Sequence, residues 1–116
     1  MSDAVFPSPS EAFEKVRSIL KQGNVAYGTD DFLRVEVLMF ALAEAETRVV
    51  HFKGNEYVIV ATALSADDKS LMVIYQAKYG EGEVWVRRID EFFSMKKATS
   101  LDGEGDIVVP RFKVKE

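Results

Sequence analysis

Cysteine is absent from the 116 residues, so disulfides, thiolate metal sites and cysteine nucleophiles are excluded at once. Histidine occurs once, as His51, with no second imidazole to complete a metal shell. It sits in an apolar stretch and is expected to be a partly buried, hydrogen-bonded structural residue. Long apolar runs are missing too: no stretch approaches the roughly 18 consecutive apolar residues of a membrane span. The opening "MSDAVFPSPSEAF" lacks the basic-then-apolar order of a secretion signal, so a cytoplasmic protein without membrane contact is expected. Nor is there an excess of positive charge. Lys and Arg number 15 against 19 Asp and Glu, and the net charge is −4. Domains that live on nucleic-acid phosphates carry a basic surface, so nucleic acid is a disfavoured partner.

Catalytic signatures are incomplete wherever they begin. "GEGEVWV" has two of the three glycines of a nucleotide-phosphate loop, and no strand lysine or catalytic H-R-D stretch accompanies it. "DGEGD" spaces Asp102, Glu104 and Asp106 like the start of a calcium loop but lacks the distal glutamate, and reads as a solvated hairpin tip. Asp67 with Asp68, and Asp90 with Glu91, are chain neighbours that a strand would send to opposite faces, so neither is an acid/base pair. No G-x-S-x-G elbow is present. No catalytic, cofactor-binding or metal-ligating residue is assigned, and an enzyme acting on a small metabolite is the remotest reading.

What is present suffices for one sizeable core: 47% of residues are hydrophobic and 11% aromatic. Residues 1–47 hold eight acids and four bases, whereas residues 48–116 hold eleven of each, and the period of the pattern changes at the same place. In the front section "SPSEAFEKVRSILKQGN" predicts a helix with Ser8 as N-cap, Pro9 in the first turn and Glu11 closing a capping box. Ala12, Phe13, Val16, Ile19 and Leu20 fall on its apolar side, and Gly23 is the stop. A second helix is expected from Asp30 to about Glu46, its two aspartates set against the positive end of the helix dipole. Phe32, Val35, Met39 and Leu42 form one stripe. Leu33, Val37, Leu38 and Phe40 widen it beyond one contact surface, so the helix is either central or shared with a second copy in a homodimer through residues 30–46. Val35 and Val37 leave a strand over 32–40 as the minority alternative.

From Arg48 the period shortens toward two. "RVVHF", "EYVIVATAL", "LMVIYQAKY", "EVWVRR" and "DIVVPRFKV" read as five antiparallel strands separated by "KGN", "SADDKS", "GEG" and "DGEG", with "RIDEFFSM" as one helical turn. Five short strands in under 70 residues suggest a small, strongly bent barrel or half-barrel. The expected fold is thus α+β, a helical extension over 1–47 packed on a β domain over 48–116.

The pieces "HFKGNEYVIV" (51–60), "VIYQAKYGEGEVWVRRIDEFF" (73–93) and "VPRFKVKE" (109–116) resemble, in that order, the bacterial family catalogued as domain of unknown function 1653. Its members read approximately Y-R-H-Y/F-K-G-x-x-Y-x-V, V-V-Y-x-A-L-Y-G, W-V-R-P-x-x-x-F and V-P-R-F. The resemblance implies a compact, SH3-like β domain and brings no activity or substrate. Lys78 replaces a usually apolar residue and Arg88 a usual proline, which implies a looser turn after Arg87. Residues 1–47 lie outside it.

A three-residue turn at Gly80, Glu81 and Gly82 sets Tyr79 opposite Glu83, Ala77 opposite Trp85 and Tyr75 opposite Arg87. Tyr75, Tyr79, Trp85 and Arg87 then share one face. That face is either the barrel interior, with Trp85 as its largest filler, or a surface for a peptide, a proline-rich segment or a stacked base. A two-residue turn would instead set Val84 and Val86 opposite the tyrosines and favour the interior. The functional expectation is a non-enzymatic module that binds a protein or peptide through Tyr75, Tyr79, Trp85 and Arg87, flanked by Lys53 and Arg111. Single-stranded nucleic acid on the same face is the alternative.

Overall fold

The computed structural model describes residues 7–23, 25–99, 103 and 105–115. Helix α1 (Pro9–Gln22) starts as its sequence requires: Ser8 Oγ accepts from Glu11 N at 3.2 Å, and Glu11 Oε1 accepts from Ser8 N at 3.0 Å. Helix α2 (Asp30–Glu44) starts at Thr29, whose hydroxyl accepts from Phe32 N at 3.2 Å, so the strand alternative is not realised. Both helices bury the stripes expected of them. Ala12, Phe13, Val16 and Ile19 of α1 join Phe32, Val35, Met39 and Leu42 of α2 in the buried cluster. Leu33, Val37 and Phe40 stay exposed on the opposite side of α2. No helix among the described residues is long and apolar enough to cross a membrane.

The strands are β1 (Arg48–His51), β2 (Glu56–Leu64), β3 (Leu71–Ala77), β4 (Val84–Arg88), β5 (Met95–Thr99), β6 (Asp106–Pro110) and β7 (Phe112–Val114), with α3 (Ile89–Phe92) as the single turn after β4. They build an antiparallel five-stranded sheet in the order β4-β3-β2-β1-β7 and a separate β5-β6 ribbon. The fold is α+β. The expected barrel does not close, because β4 and β7 lie at opposite edges of an open sheet.

The reason is Arg111. The segment read as one fifth strand is two, since Pro110 pairs with Met95 in the ribbon while Phe112 pairs with His51 in the sheet. Between them Arg111 N donates to Ser94 O, and Arg111 O accepts from Phe52 N, each at 2.8 Å. One residue therefore joins both sheets to the end of α3. Strand β5 has no counterpart among the five strands expected from the pattern. Its sequence, "MKKAT", carries little apolar alternation, and only its pairing with β6 makes it a strand.

A bulge adds a second departure. Ile59 pairs with Tyr75 but Ala61 pairs with Ile74, so Val60 is extra and β2 changes the parity of its core-facing residues there. Tyr57 and Ile59 face the core before the bulge, and Thr62, opposite the buried Val73, takes that side after it, while Leu64 at the strand end is exposed. The helices cover this face of the sheet. Beneath them Phe92 stacks on Phe112 at 4.2 Å, Tyr75 meets both rings edge-on at 5.3 Å, and Phe13 lies 4.5 Å from Phe93. Arg17 Nη2 donates to Phe112 O at 3.2 Å and ties α1 to β7.

The looser turn expected after Arg87 is not found. Arg88 has φ −58° and ψ 144°, a conformation proline would also adopt. Its guanidinium lies 3.1 Å from Asp68 and 3.5 Å from Asp90, anchoring the start of α3 to the β2–β3 loop. Asp102 and Glu104 of the "DGEGD" segment lie outside the described residues.

Candidate functional site

The β3–β4 hairpin sets the register of the site. Ala77 N donates to Glu83 O at 2.9 Å, and Gly82 N donates to Tyr79 O at 3.1 Å inside the turn. Gly80 and Gly82 both have positive φ, 57° and 69°. Tyr75 consequently faces Trp85, and Val73 faces Arg87, two residues away from the register of a three-residue turn. The turn itself accounts for the difference: it is closed by the Gly82 N to Tyr79 O bond inside the Ala77–Glu83 pair, so the loop is longer than three residues, while Lys78 N turns the other way and donates to Glu56 O of β2 at 2.9 Å. A shift of two preserves the parity of side chains. Tyr75, Trp85 and Arg87 therefore still share one face.

On that face the tyrosines form a chain. Tyr79 hydrogen-bonds Tyr57 through their hydroxyls at 2.7 Å, the Tyr57 ring lies 5.2 Å from that of Tyr75, and Tyr75 Oη accepts from Arg87 Nε at 3.1 Å. Arg111 turns its Nε to Glu91 O at 2.9 Å and to Ser94 Oγ at 3.2 Å. These bonds fix both guanidiniums through Nε. Among the described residues neither is within salt-bridge distance of a carboxylate. His51 closes the group, its ring 5.0 Å from Phe112 and 6.4 Å from Tyr57, with Nδ1 accepting from Lys53 N at 3.2 Å.

Several cations act on the same few groups. Burial lowers the affinity of His51 for a proton, and the charges of Arg111, Arg87, Lys53 and Lys96 lower it further. Arg111 is pulled below the usual guanidinium range by burial and then by Arg87. The Tyr57 hydroxyl is pushed up to about 12, first by burial and then by its bond to Tyr79, which favours the neutral phenol. A protein of net charge −4 thus concentrates positive charge on one aromatic surface. Such an arrangement can hold a carboxylate between guanidiniums while flat rings carry the rest of a ligand.

Of the residues expected to act together, Tyr75 and Arg87 meet directly, Tyr79 is joined to them through Tyr57, and Arg111 arrives from the β6–β7 junction. Lys53 lies on the turn after β1, its Nζ 5.8 Å from the Phe52 ring centre. Trp85 is 48% exposed and stands apart from the buried cluster, at the sheet edge beside Tyr75, so it does not fill a barrel interior. Tyr75 is buried and contributes its hydroxyl more than its ring. Tyr57, His51 and Lys96 were not among the expected site residues. Tyr57 could have been found by pairing "EYVIVATAL" with "LMVIYQAKY", which puts it opposite Ala77 on the site face.

The pattern of the family described as "Protein of unknown function (DUF1653)" matches residues 47–114, more than half of the chain, and the chain belongs to that family. Among solved structures it is similar to the crystal structure of a DUF1653 protein from Bordetella bronchiseptica, at 20% identity and a TM-score of 0.44, covering 57% of this chain and 80% of that one. No curated protein matches.

Proposed function

We propose that this DUF1653 protein is a non-enzymatic binding module that holds an acidic segment of a protein partner on the surface formed by Tyr57, Tyr79, Trp85, Arg87 and Arg111, with Tyr75 buried beneath as the anchor of Arg87 and Lys53 at the margin. The observation that carries the reading is the pair of oriented guanidiniums, Arg87 and Arg111, beside three linked tyrosines without a carboxylate partner among the described residues. Like charges brought together on a protein surface raise its energy unless an anion joins them. SH3-like domains read extended peptides on aromatic strips, and the open sheet here presents a comparable strip with added positive charge. A cytoplasmic partner belongs to the same proposal.

Titration with a glutamate-rich peptide containing one tyrosine tests it, with Trp85 fluorescence as the signal. Binding should weaken about tenfold or more in Arg111→Gln, since a hydrogen bond to a charged group contributes roughly 1.5–3 kcal/mol. A peptide affinity unchanged by Arg87→Gln and by Arg111→Gln would sink the reading. Preference for a single-stranded oligonucleotide, with steep loss of affinity in salt, would transfer the surface to the nucleic-acid alternative.

A further inference from the structure

The outer edge of β4 carries an inference that goes beyond the ligand-reading face. Among the described residues β4 pairs with β3 alone. The bond from Ala77 N to Glu83 O marks residues 77 and 83 as a hydrogen-bonded pair. In an antiparallel ladder such pairs alternate, so Trp85 and Arg87 also turn their backbone groups toward β3. Val84, Val86 and Arg88 then direct N–H and C=O outward. Native edges are usually blunted by lysine, proline or a bulge. This one is short and carries charge only at its Arg87–Arg88 end; before that it presents Val84 (59% exposed), Trp85 (48%) and Val86 (59%) in succession, with no lysine, proline or bulge.

We propose that two copies of the chain pair antiparallel through β4 about a two-fold axis at Trp85, joining their sheets edge to edge. The sequence "EVWVR" is self-complementary about that axis. Val84 meets the partner's Val86 and Val86 meets the partner's Val84, both as hydrogen-bonded pairs because the outward groups of these residues then face each other. Trp85 meets the partner's Trp85 in a non-hydrogen-bonded position, where side chains approach more closely. On the same face Glu83 meets the partner's Arg87, and Arg87 meets the partner's Glu83. Moving the axis by one residue to Val86 would set Arg87 against the partner's Trp85 and Arg88 against the partner's Val84, with no carboxylate opposite either. The Nε of Arg87 stays with Tyr75, leaving its terminal nitrogens for this contact.

Sedimentation equilibrium on the full chain without any peptide separates this from the ligand reading. The wild type is expected to be dimeric at roughly 0.1 mM. Glu83→Arg sets like charges against each other at both ends of the interface, as does Arg87→Glu, and each should raise the dimer dissociation constant at least about tenfold. Combining Glu83→Arg with Arg87→Glu exchanges the partners and should restore dimerisation, with circular dichroism confirming that all variants fold. A monomeric wild type overturns the proposal. So does a dimer that tolerates the single reversals but dissociates in Val37→Glu, which would assign the contact to the exposed side of α2. Arg87 and Trp85 belong to both contacts, so peptide affinity is compared in Arg111→Gln, which leaves the β4 edge unchanged, and dimerisation is measured without peptide; either result can then fail without the other.

Discussion

Tyr57 and Tyr79, 22 residues apart, share a hydroxyl–hydroxyl hydrogen bond of 2.7 Å that pins the tip of the β3–β4 hairpin to β2. The protonated phenol is the form this bond and the surrounding burial favour, so the folded value of Tyr57, about 12, lies above the ordinary 10.0. The stabilisation is complete below pH 10 and is lost as pH rises through 12. Replacing Tyr79 by Phe removes what Tyr79 contributes and leaves burial, the largest cause, in place. Tyr57 should then titrate part of the way back toward 10, with folding stability at neutral pH lower by about 0.5–1.5 kcal/mol. A ring-carbon NMR titration resolves the individual tyrosines, and an unmoved Tyr57 would show that the hydroxyl bond contributes nothing.

His51 offers a second reporter, conveniently the sole histidine. It faces Arg87 of β4, Arg111 between β6 and β7, Lys53 on the turn after β1 and Lys96 of β5, and its Nδ1 is engaged by Lys53 N. Its folded pKa is depressed below 6.5, so its contribution to stability is present above 6.5 and is lost as pH falls through the folded value. A bound acidic peptide neutralises part of the surrounding charge. The single imidazole NMR signal should therefore titrate at higher pH in the complex than in the free protein. No change at saturating peptide would place the peptide on another surface.

How far the sequence discloses this arrangement depends on the range of the interactions that decide it. The starts of α1 and α2 are legible because Ser8, Glu11 and Thr29 act within one helical turn. Most strands are legible because period-two patterning is local as well. The hairpin register is not, since two glycines with positive φ allow turns of more than one length and the pairing of Ala77 with Glu83 across the strands selects one. Arg111 presents the same difficulty, as its neighbours Pro110 and Phe112 serve different sheets. Tyr57 enters the site only through pairing of β2 with β3. The position of Trp85 depends on strand order, which makes β4 an edge and keeps the indole out of the core.

That position has a direct thermodynamic consequence. Trp85→Ala, measured on dilute protein, should cost less than about 1 kcal/mol, as expected of an exposed residue. Phe92→Ala should cost about 3–5 kcal/mol, because its ring is fully buried and stacked on Phe112. Urea unfolding of both variants supplies the comparison, and a Trp85 variant as damaged as the Phe92 one would return the indole to the core.

The helices and the family-matched part of the chain share one core. The match begins at residue 47, yet the buried cluster does not respect that boundary. Phe13, Val16, Phe32, Val35, Met39 and Leu42 pack in one cluster with Val49, Ile59, Val73, Phe92 and Phe112. Removing residues 1–47 exposes the sheet face those side chains cover, and each large apolar residue left in water forfeits roughly 1.5–3 kcal/mol. Net stabilities of small domains are only about 5–15 kcal/mol, so losing several such contacts exhausts the margin. Fragment 48–116 should be poorly soluble and should lack a cooperative thermal transition. A point variant checks the same coupling with the chain intact. Phe13→Ala removes a ring 4.5 Å from Phe93 and 6.3 Å from Phe92, and should cost about 3–5 kcal/mol although Phe13 lies outside the matched region. A soluble, cooperatively folding fragment together with a mild Phe13 variant would show that the β domain stands alone and that the helices are an appendage to it.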